Sequence, residues 1–217
     1  MKIHGLAILA LFLPALASAA SREQRDLAEV QAAKPDVEHG AELFEHCVRC
    51  HGADGGGTTN GSVPRIAGQY FDVLARQIIQ FRNGKHWDMR MEGIATSHDI
   101  LPRAQDIADV AGYVSSLSSD GRRGVGTGDY VERGQAIYAS GCASCHGANG
   151  EGDERLEVPR LAGQHAGYLA RQIYDAVDNR RPALSASHRK RLVPLTFEEV
   201  LGLTDYLARI GWTPASE

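Results

Sequence analysis

Apolar residues recur at helical spacing in both halves of the chain. In the first half Leu74, Ile78 and Phe81 fall on one side of a helix, and Arg76 and Gln77 fall on the other. No stretch alternates apolar and polar residues with a period of two. We therefore predict an amphipathic helix here and no substantial sheet anywhere.

Each half also ends in a predicted helix. Thr196 and Glu199 have the spacing of a capping box and open the second of these helices. The two apolar stripes at helical spacing are Val200, Leu203 and Leu207 in the second half, and Ile107, Val110, Val114 and Leu117 in the first. Shorter helices are predicted over residues 40–46 and 132–140, so each half has three helices around a loop-rich middle. Tyr113 and Tyr206 should lie where the last helix packs on the first.

The two halves are copies of one plan. The motif Cys47-Val-Arg-Cys50-His51 returns as Cys142-Ala-Ser-Cys145-His146, and Cys142 lies 95 residues after Cys47. The same offset aligns residues 63–69 with 158–164 and residues 74–78 with 169–173. A repeat of this length and register predicts two tandem domains of the same fold.

Four segments follow from these patterns. Residues 1–19 are predicted to be a cleaved signal peptide, because a basic start and a short apolar run precede Ala17-Ser18-Ala19. An uncleaved membrane anchor is the alternative. Residues 20–117 and 129–217 are the two domains, and the Gly-rich and Arg-containing residues 118–128 link them. No other run reaches the ~18 apolar residues that a membrane span needs.

Composition indicates which kinds of partner the chain can bind. The chain has 23 basic and 27 acidic residues, so nothing suggests a nucleic-acid partner. Only 6% of the residues are aromatic, which is few for two independent cores. An apolar group bound in each half would supply the missing core.

The four cysteines carry the candidate chemistry. An even cysteine count in an exported protein ordinarily suggests disulfides, but here each Cys-x-x-Cys is followed directly by a histidine. Two thiols at this spacing can add to the two vinyl groups of one haem, and His51 or His146 would then bind its iron. A zinc site needs four ligands, and a thioredoxin-like pair needs a βαβ context, which is absent. Two covalently attached c-type haems are therefore predicted.

Both halves resemble class I cytochrome c domains, and the tandem is similar to the diheme cytochrome c4 type. The resemblance rests on the two Cys-x-x-Cys-His-Gly-x-x-Gly motifs, on residues 64–69 with their copy, and on residues 81–85. It covers essentially the whole mature chain. It implies an all-α fold in which a few helices wrap a covalently bound haem in each domain. It also implies that Pro64 and Pro159 help to orient the histidine ligands.

The same resemblance implies a methionine as the distal ligand of the first haem. Met89 and Met91 are the candidates, and we favour Met91 because the family's methionine tends to lie four positions before a small residue, here Ala95. Methionine opposite histidine raises the reduction potential. Met89 would then cover the haem edge.

The second half has no methionine, since the chain's three are Met1, Met89 and Met91. His188 lies in the equivalent loop, and a neutral imidazole is a ready iron ligand. Lys190 and an open iron are the alternatives. Nitrogen ligation would lower the potential of the second haem and make it the electron donor to the first.

These observations predict a periplasmic electron carrier, with no catalytic residues. It would accept electrons from a membrane quinol-oxidising complex or a periplasmic dehydrogenase and pass them to a terminal oxidase or reductase, docking at a membrane complex. The basic cluster Arg180, Arg181, Arg189, Lys190 and Arg191 is either a solvated loop or a docking face for an acidic partner. We expect His39, His46, His86 and His165 to be solvated.

A haem enzyme or its haem subunit is the alternative function. Some diheme enzymes of sulfur-compound oxidation resemble this architecture and use a distal cysteine, but all four cysteines here belong to the attachment motifs. A peroxidase, or a gas or redox sensor, would need the second iron to be open.

Overall fold

The computed structural model describes residues 20–118 and 121–211, so the predicted signal peptide lies outside the described residues. The helices of the first half are α1 (Arg22–Ala32), α2 (Val37–His51), α3 (Phe71–Arg82), α4 (Met89–Thr96) and α5 (Ala104–Ser116). Those of the second half are α6 (Val131–Gly141), α7 (Ala143–His146), α8 (Ala166–Val177), α9 (Ala186–Leu192) and α10 (Phe197–Arg209).

The all-α prediction is confirmed. Within the described residues the β-pairing is one isolated bridge, between Asp153 and Val158. Within the described residues each half has five helices where three were predicted, and the additional ones are α1, α4, α7 and α9. Helix α1 is not predicted by the sequence pattern, because it is largely polar. It begins with a capping box between Ser21 and Gln24, and its Val30 is fully buried in the first core. No helix in this part of the chain has the length and apolar character needed to cross a membrane.

In each domain the helix that leads into the cysteine motif packs on the last helix, as predicted. In the first domain Phe44 of α2 meets Tyr113 of α5, with ring centroids 5.4 Å apart. In the second, Tyr138 of α6 meets Tyr206 of α10 at 5.7 Å. This pairing holds α2, whose last turns carry the first cysteine motif, and α6, which leads into the second motif, against the domain cores.

Close packing of α2 on α5 requires a glycine at position 40. A Cβ atom at Gly40 would lie 2.1 Å from the backbone oxygen of Asp109, a distance that real Cβ atoms do not show. The neighbouring atom is backbone, so it cannot move aside as a flexible side chain would. The helix pair would have to separate.

Gly40→Ala is therefore expected to lower the free energy of unfolding by about 1–3 kcal/mol, the usual cost of overpacking. Gly93→Ala is the matched control, because Gly93 is an exposed helical residue and a Cβ atom added to it would meet nothing within 4 Å. That control should be neutral or stabilising by about 0.5–1 kcal/mol. Guanidinium unfolding followed by far-UV circular dichroism measures both. Equal stability of the two variants would show that α2 and α5 are not tightly packed.

The segment between the domains is bound to the second domain. The backbone N–H groups of Gly126 and Gly128 each donate to the carboxylate of Asp205 at 2.8 Å, and Arg209 pairs with the same carboxylate at 2.7 Å. The N–H of Gly124 donates to Nδ1 of His165 at 2.9 Å. The predicted linker is thus fixed along its second half.

Three of the histidines expected to be solvated are not. His165 is 1% exposed and its Nε2 donates to the carbonyl of Gly56 in the first domain at 2.8 Å. His86 is 2% exposed, stacks on Phe81 and bonds Gln172 of the second domain at 2.8 Å. Burial lowers the pKa of His86 to about 3, so its ring is neutral. Both rings are buried by residues of the opposite domain, which local sequence patterns cannot reveal.

The third of these histidines is His39. It is half-buried and pairs with the buried carboxylate of Asp109 at 2.8 Å, which raises the pKa of the imidazole. His46 is exposed, as expected.

Candidate functional site

The first cysteine motif lies at the end of α2 and borders a large cavity. Gly52 ends the helix with a φ of 77°, a conformation open to glycine, and so turns the chain away just after His51. The empty volume, including the mouth, is about 1140 Å³. Its walls are mostly apolar and include Leu74, Ile78, Phe81, Ile94, Leu101 and Val110. An open cavity with apolar walls beside two thiols fits a large planar cofactor.

His51 presents one nitrogen to this cavity in a fixed tautomer. It is 6% exposed, and its Nδ1 lies 3.1 Å from the carbonyl oxygen of Pro64. Because a carbonyl only accepts, Nδ1 carries the proton and the lone pair of Nε2 is left available to a metal ion. Burial lowers the pKa of His51 and keeps the imidazole neutral, as metal binding requires.

The second motif repeats this geometry. His146 is 9% exposed, and its Nδ1 lies 3.1 Å from the carbonyl oxygen of Pro159. Burial lowers the pKa of this imidazole too. The structure thus places each predicted proline where it fixes the ring of the predicted histidine ligand.

The cysteines do not resemble a redox dithiol. Neither pair forms a disulfide, and burial raises the pKa of Cys47 to about 11. A dithiol oxidoreductase needs the opposite, a thiol whose pKa is lowered. Within each motif one cysteine is half-buried and one is exposed: Cys50 and Cys145 lie at the surface. A group attached through both would have its core inside and one edge near solvent.

The two candidate methionines differ in position. Met91 is half-buried and lines the first cavity, whereas Met89 is exposed, with 74% of its surface accessible. Helix α4 fixes this difference, since residues two apart fall on different sides of a helix. Asp88 caps α4 and accepts the N–H of Met91 at 3.4 Å.

His188 lies opposite His146. Their ring centroids are 6.0 Å apart and their planes are inclined by 48°. Metal–imidazole bonds are about 2.0–2.1 Å at zinc, and each ring centre lies about 1.1 Å beyond its nitrogen, so two imidazoles flanking one metal have centres about 6.3 Å apart. The observed distance between the ring centres is close to this value. Lys190, the alternative, is exposed.

Local structure also supports the placement of His188. Ser185 caps α9 by accepting the backbone N–H of His188 at 3.2 Å, which fixes the first turn that carries the imidazole. Burial is the main cause of a lowered pKa at His188, and the nearby His146 adds to it. The imidazole is thus held neutral.

The basic cluster is only partly at the surface. Lys190 and Arg191 are exposed, whereas Arg181 and Arg189 are half-buried. Arg180 is exposed, lies over the ring of Trp87 at 5.2 Å and pairs with Asp175. The face available to a partner is therefore smaller than the five-residue cluster predicted.

Sequence reasoning missed the contribution of the second domain to the first cavity. Tyr168, Arg171 and Gln172 of α8 line it together with residues of the first domain. The alignment of residues 169–173 with residues 74–78 of α3, which lines the first cavity, predicts that α8 is a helix of the same kind. It does not predict that α8 also lines the cavity of the opposite domain.

Comparison with known proteins agrees with this geometry. The family model described as Cytochrome c matches residues 37–118 and 131–210. Cytochrome c4 of Pseudomonas aeruginosa is 34% identical over 59% of this chain, which spans 65% of that protein's length. The crystal structure of reduced recombinant cytochrome c4 from Pseudomonas stutzeri superposes with a TM-score of 0.69 and 27% identity, covering 82% of this chain and all of that one.

A thiosulfate dehydrogenase structure from Marichromatium purpuratum, in its as-isolated form, is also similar. The TM-score is 0.71 and the identity 29%, over 83% of this chain and 43% of that chain.

Proposed function

The chain belongs to the cytochrome c family and holds two covalently bound c-type haems, one at each cysteine pair, and from this we propose that it carries single electrons between redox proteins. Each haem supplies an iron that alternates between the ferrous and ferric states. The observation that carries the proposal is the duplicated site: a buried histidine with a fixed tautomer beside one exposed and one half-buried cysteine. The exposed cysteines, Cys50 and Cys145, would hold an edge of each cofactor close to the surface.

The two sites differ in the ligands that we propose. His51 and Met91 would bind the first iron, and His146 and His188 would bind the second. The support is the half-buried Met91 in the cavity wall and the 6.0 Å separation of the two imidazoles. Thioether sulfur favours ferrous iron more than imidazole does, so the first site has the higher potential.

This difference gives the electrons a direction. Axial ligands and their surroundings tune haem potentials over roughly 0.8 V across proteins, so a gap of a few tenths of a volt is within reach. With these ligands, electrons that enter at the second site would be favoured to move to the first. His188 and Met91 are thus the residues that make the two similar domains functionally unequal.

The proposed location is the periplasm, after removal of residues 1–19. Donors would be a membrane quinol-oxidising complex or a periplasmic dehydrogenase, and acceptors a terminal oxidase or reductase. The exposed Lys190, Arg191 and Arg180 offer a small basic face for docking an acidic partner.

The similarity to a thiosulfate dehydrogenase favours one second candidate, a haem subunit in sulfur-compound oxidation. Against a catalytic role of this chain, every cysteine belongs to an attachment motif. A distal cysteine is therefore not available.

A redox titration of the holoprotein followed at the haem absorption bands tests the proposal. We expect two separate one-electron transitions and no reduction of either haem by thiosulfate added alone. Reduction by thiosulfate would identify the chain as an enzyme. A single transition accounting for both haems would contradict the proposed inequality of the two sites.

A further inference from the structure

One peptide group connects the first histidine ligand to the opposite domain. The carbonyl oxygen of Pro64 accepts the hydrogen bond of His51 Nδ1 at 3.1 Å. The N–H of Arg65 belongs to the same peptide group, and it donates to Oε1 of Gln164 at 3.0 Å. Gln164 is in the second domain.

The second site has the reciprocal arrangement. The carbonyl of Pro159 accepts from His146 Nδ1 at 3.1 Å, and the N–H of Arg160 donates to Oε1 of Gln69 at 3.1 Å. Gln69 is in the first domain. The repeated Pro-Arg-x-Ala-Gly-Gln segment thus supplies, in each domain, both the peptide behind its own histidine and the glutamine that bonds the other domain's peptide.

Both glutamine side chains are held at both ends. Nε2 of Gln164 donates to the carbonyl of Arg65 at 2.7 Å, and Nε2 of Gln69 donates to the carbonyl of Arg160 at 3.1 Å. Each Oε1 also accepts the N–H of the residue that follows it in the chain, His165 or Tyr70. The amides are therefore fixed in the orientation that points oxygen at the peptide N–H.

This arrangement polarises the peptide. A hydrogen bond at the N–H of an amide increases the negative charge on its carbonyl oxygen, and linked hydrogen bonds strengthen each other by about 10–30% per bond. The histidine Nδ1–H bond to that oxygen becomes stronger. A stronger bond at Nδ1 makes Nε2 a more basic ligand, which favours ferric iron.

We propose that Gln164 and Gln69 are positioning residues that each lower the reduction potential of the haem in the opposite domain. The inference rests on the proposed ligation of iron by His51 and His146. It makes each potential depend on the docking of the two domains. By linkage, the oxidation state of each iron in turn biases that docking.

The test replaces one glutamine at a time in the full-length holoprotein. Gln164→Met should raise the potential of the first haem alone, and Gln69→Met should raise that of the second alone. We expect about a threefold change in the ferrous-to-ferric ratio at a fixed solution potential, about 28 mV from the one-electron conversion of 59 mV per tenfold. The Nδ1 proton resonance of the affected histidine in the diamagnetic ferrous protein should move upfield.

Gln164→Glu and Gln69→Glu serve as second variants, because they keep an oxygen acceptor opposite the peptide N–H. They should shift the same haem in the opposite direction. Tyr70→Phe is the matched control: it removes the interdomain bond from the Tyr70 hydroxyl to the carbonyl of Glu151 at 3.1 Å and leaves both peptides untouched. It should change neither potential.

Three outcomes overturn the inference. In the first, the potential of each haem responds to the glutamine of its own domain. In the second, both potentials shift together because the interface opens. In the third, neither the potential nor the Nδ1 resonance changes in variants with a normal low-spin spectrum. These outcomes leave electron carriage intact. Failure of the proposed function is distinct, since it would show in the wild-type protein as missing one-electron transitions or missing Nδ1 resonances.

Discussion

His188→Ala is expected to turn the second haem from low-spin and six-coordinate to high-spin with an open position. The imidazole of His188 has its centre 6.0 Å from that of His146, across the space in which the second iron is proposed to lie. Alanine removes this imidazole, and the short helix α9 remains capped by Ser185. Carbon monoxide should then bind rapidly to one of the two ferrous haems, and the wild-type protein should bind little.

Low-temperature electron paramagnetic resonance of the ferric protein gives the second readout. A high-spin signal from one of the two irons should appear in His188→Ala and be absent in Lys190→Ala. Lys190 is the matched control because it lies on the same helix and is exposed. The opposite pattern, with Lys190→Ala producing the open site, would assign the second iron to the lysine and would contradict the placement of His188.

The sequence was enough to identify His188 as a candidate ligand, but not to predict where its side chain lies. His188 is predicted by elimination, because the second half of the chain has no methionine and the equivalent loop offers one histidine. That argument names a residue and gives no geometry. The position of the ring against His146 depends on Ser185 capping α9 and on the packing of α9 beside α8, and neither follows from spacing along the chain.

The fold was predictable where a pattern is local or repeated. Apolar periodicity predicts α3, α5 and α10, and the 95-residue offset predicts the two domains. Helix α1 was missed because its stability comes from burying Val30 in a core contributed by distant helices. Helix propensity and apolar periodicity within residues 22–32 do not predict this long-range packing.

The domain interface was not predictable. His86 and His165 were expected to be solvated, yet each is buried by a hydrogen-bonding partner in the opposite domain. The two glutamines of the repeated motif were visible in the sequence, but a repeat only shows that two segments have equivalent places within their own domains. It does not show that each segment reaches across to its copy.

Met91→Leu is expected to lower the potential of the first haem by a few tenths of a volt, because leucine keeps the volume and removes the sulfur that we propose binds the first iron, and thioether sulfur favours the ferrous state. The site would become high-spin and open to carbon monoxide, as at the second haem in His188→Ala. Met89→Leu is the matched control, two residues away on the same helix with 74% of its surface exposed, and it should leave spectrum and potential unchanged.

A lower potential at the first haem would change which of the two haems has the higher potential. If Met91 holds the first haem above the second, the Met91→Leu titration should show the two one-electron transitions moving together or exchanging order, with the transition of the second haem fixed. Electrons would then have no preference for the first domain. After rapid one-electron reduction, transfer between the haems should no longer leave the electron mainly on the first haem. An unchanged first transition in Met91→Leu would contradict ligation by Met91, and a shift produced by Met89→Leu instead would assign the sulfur ligand to Met89.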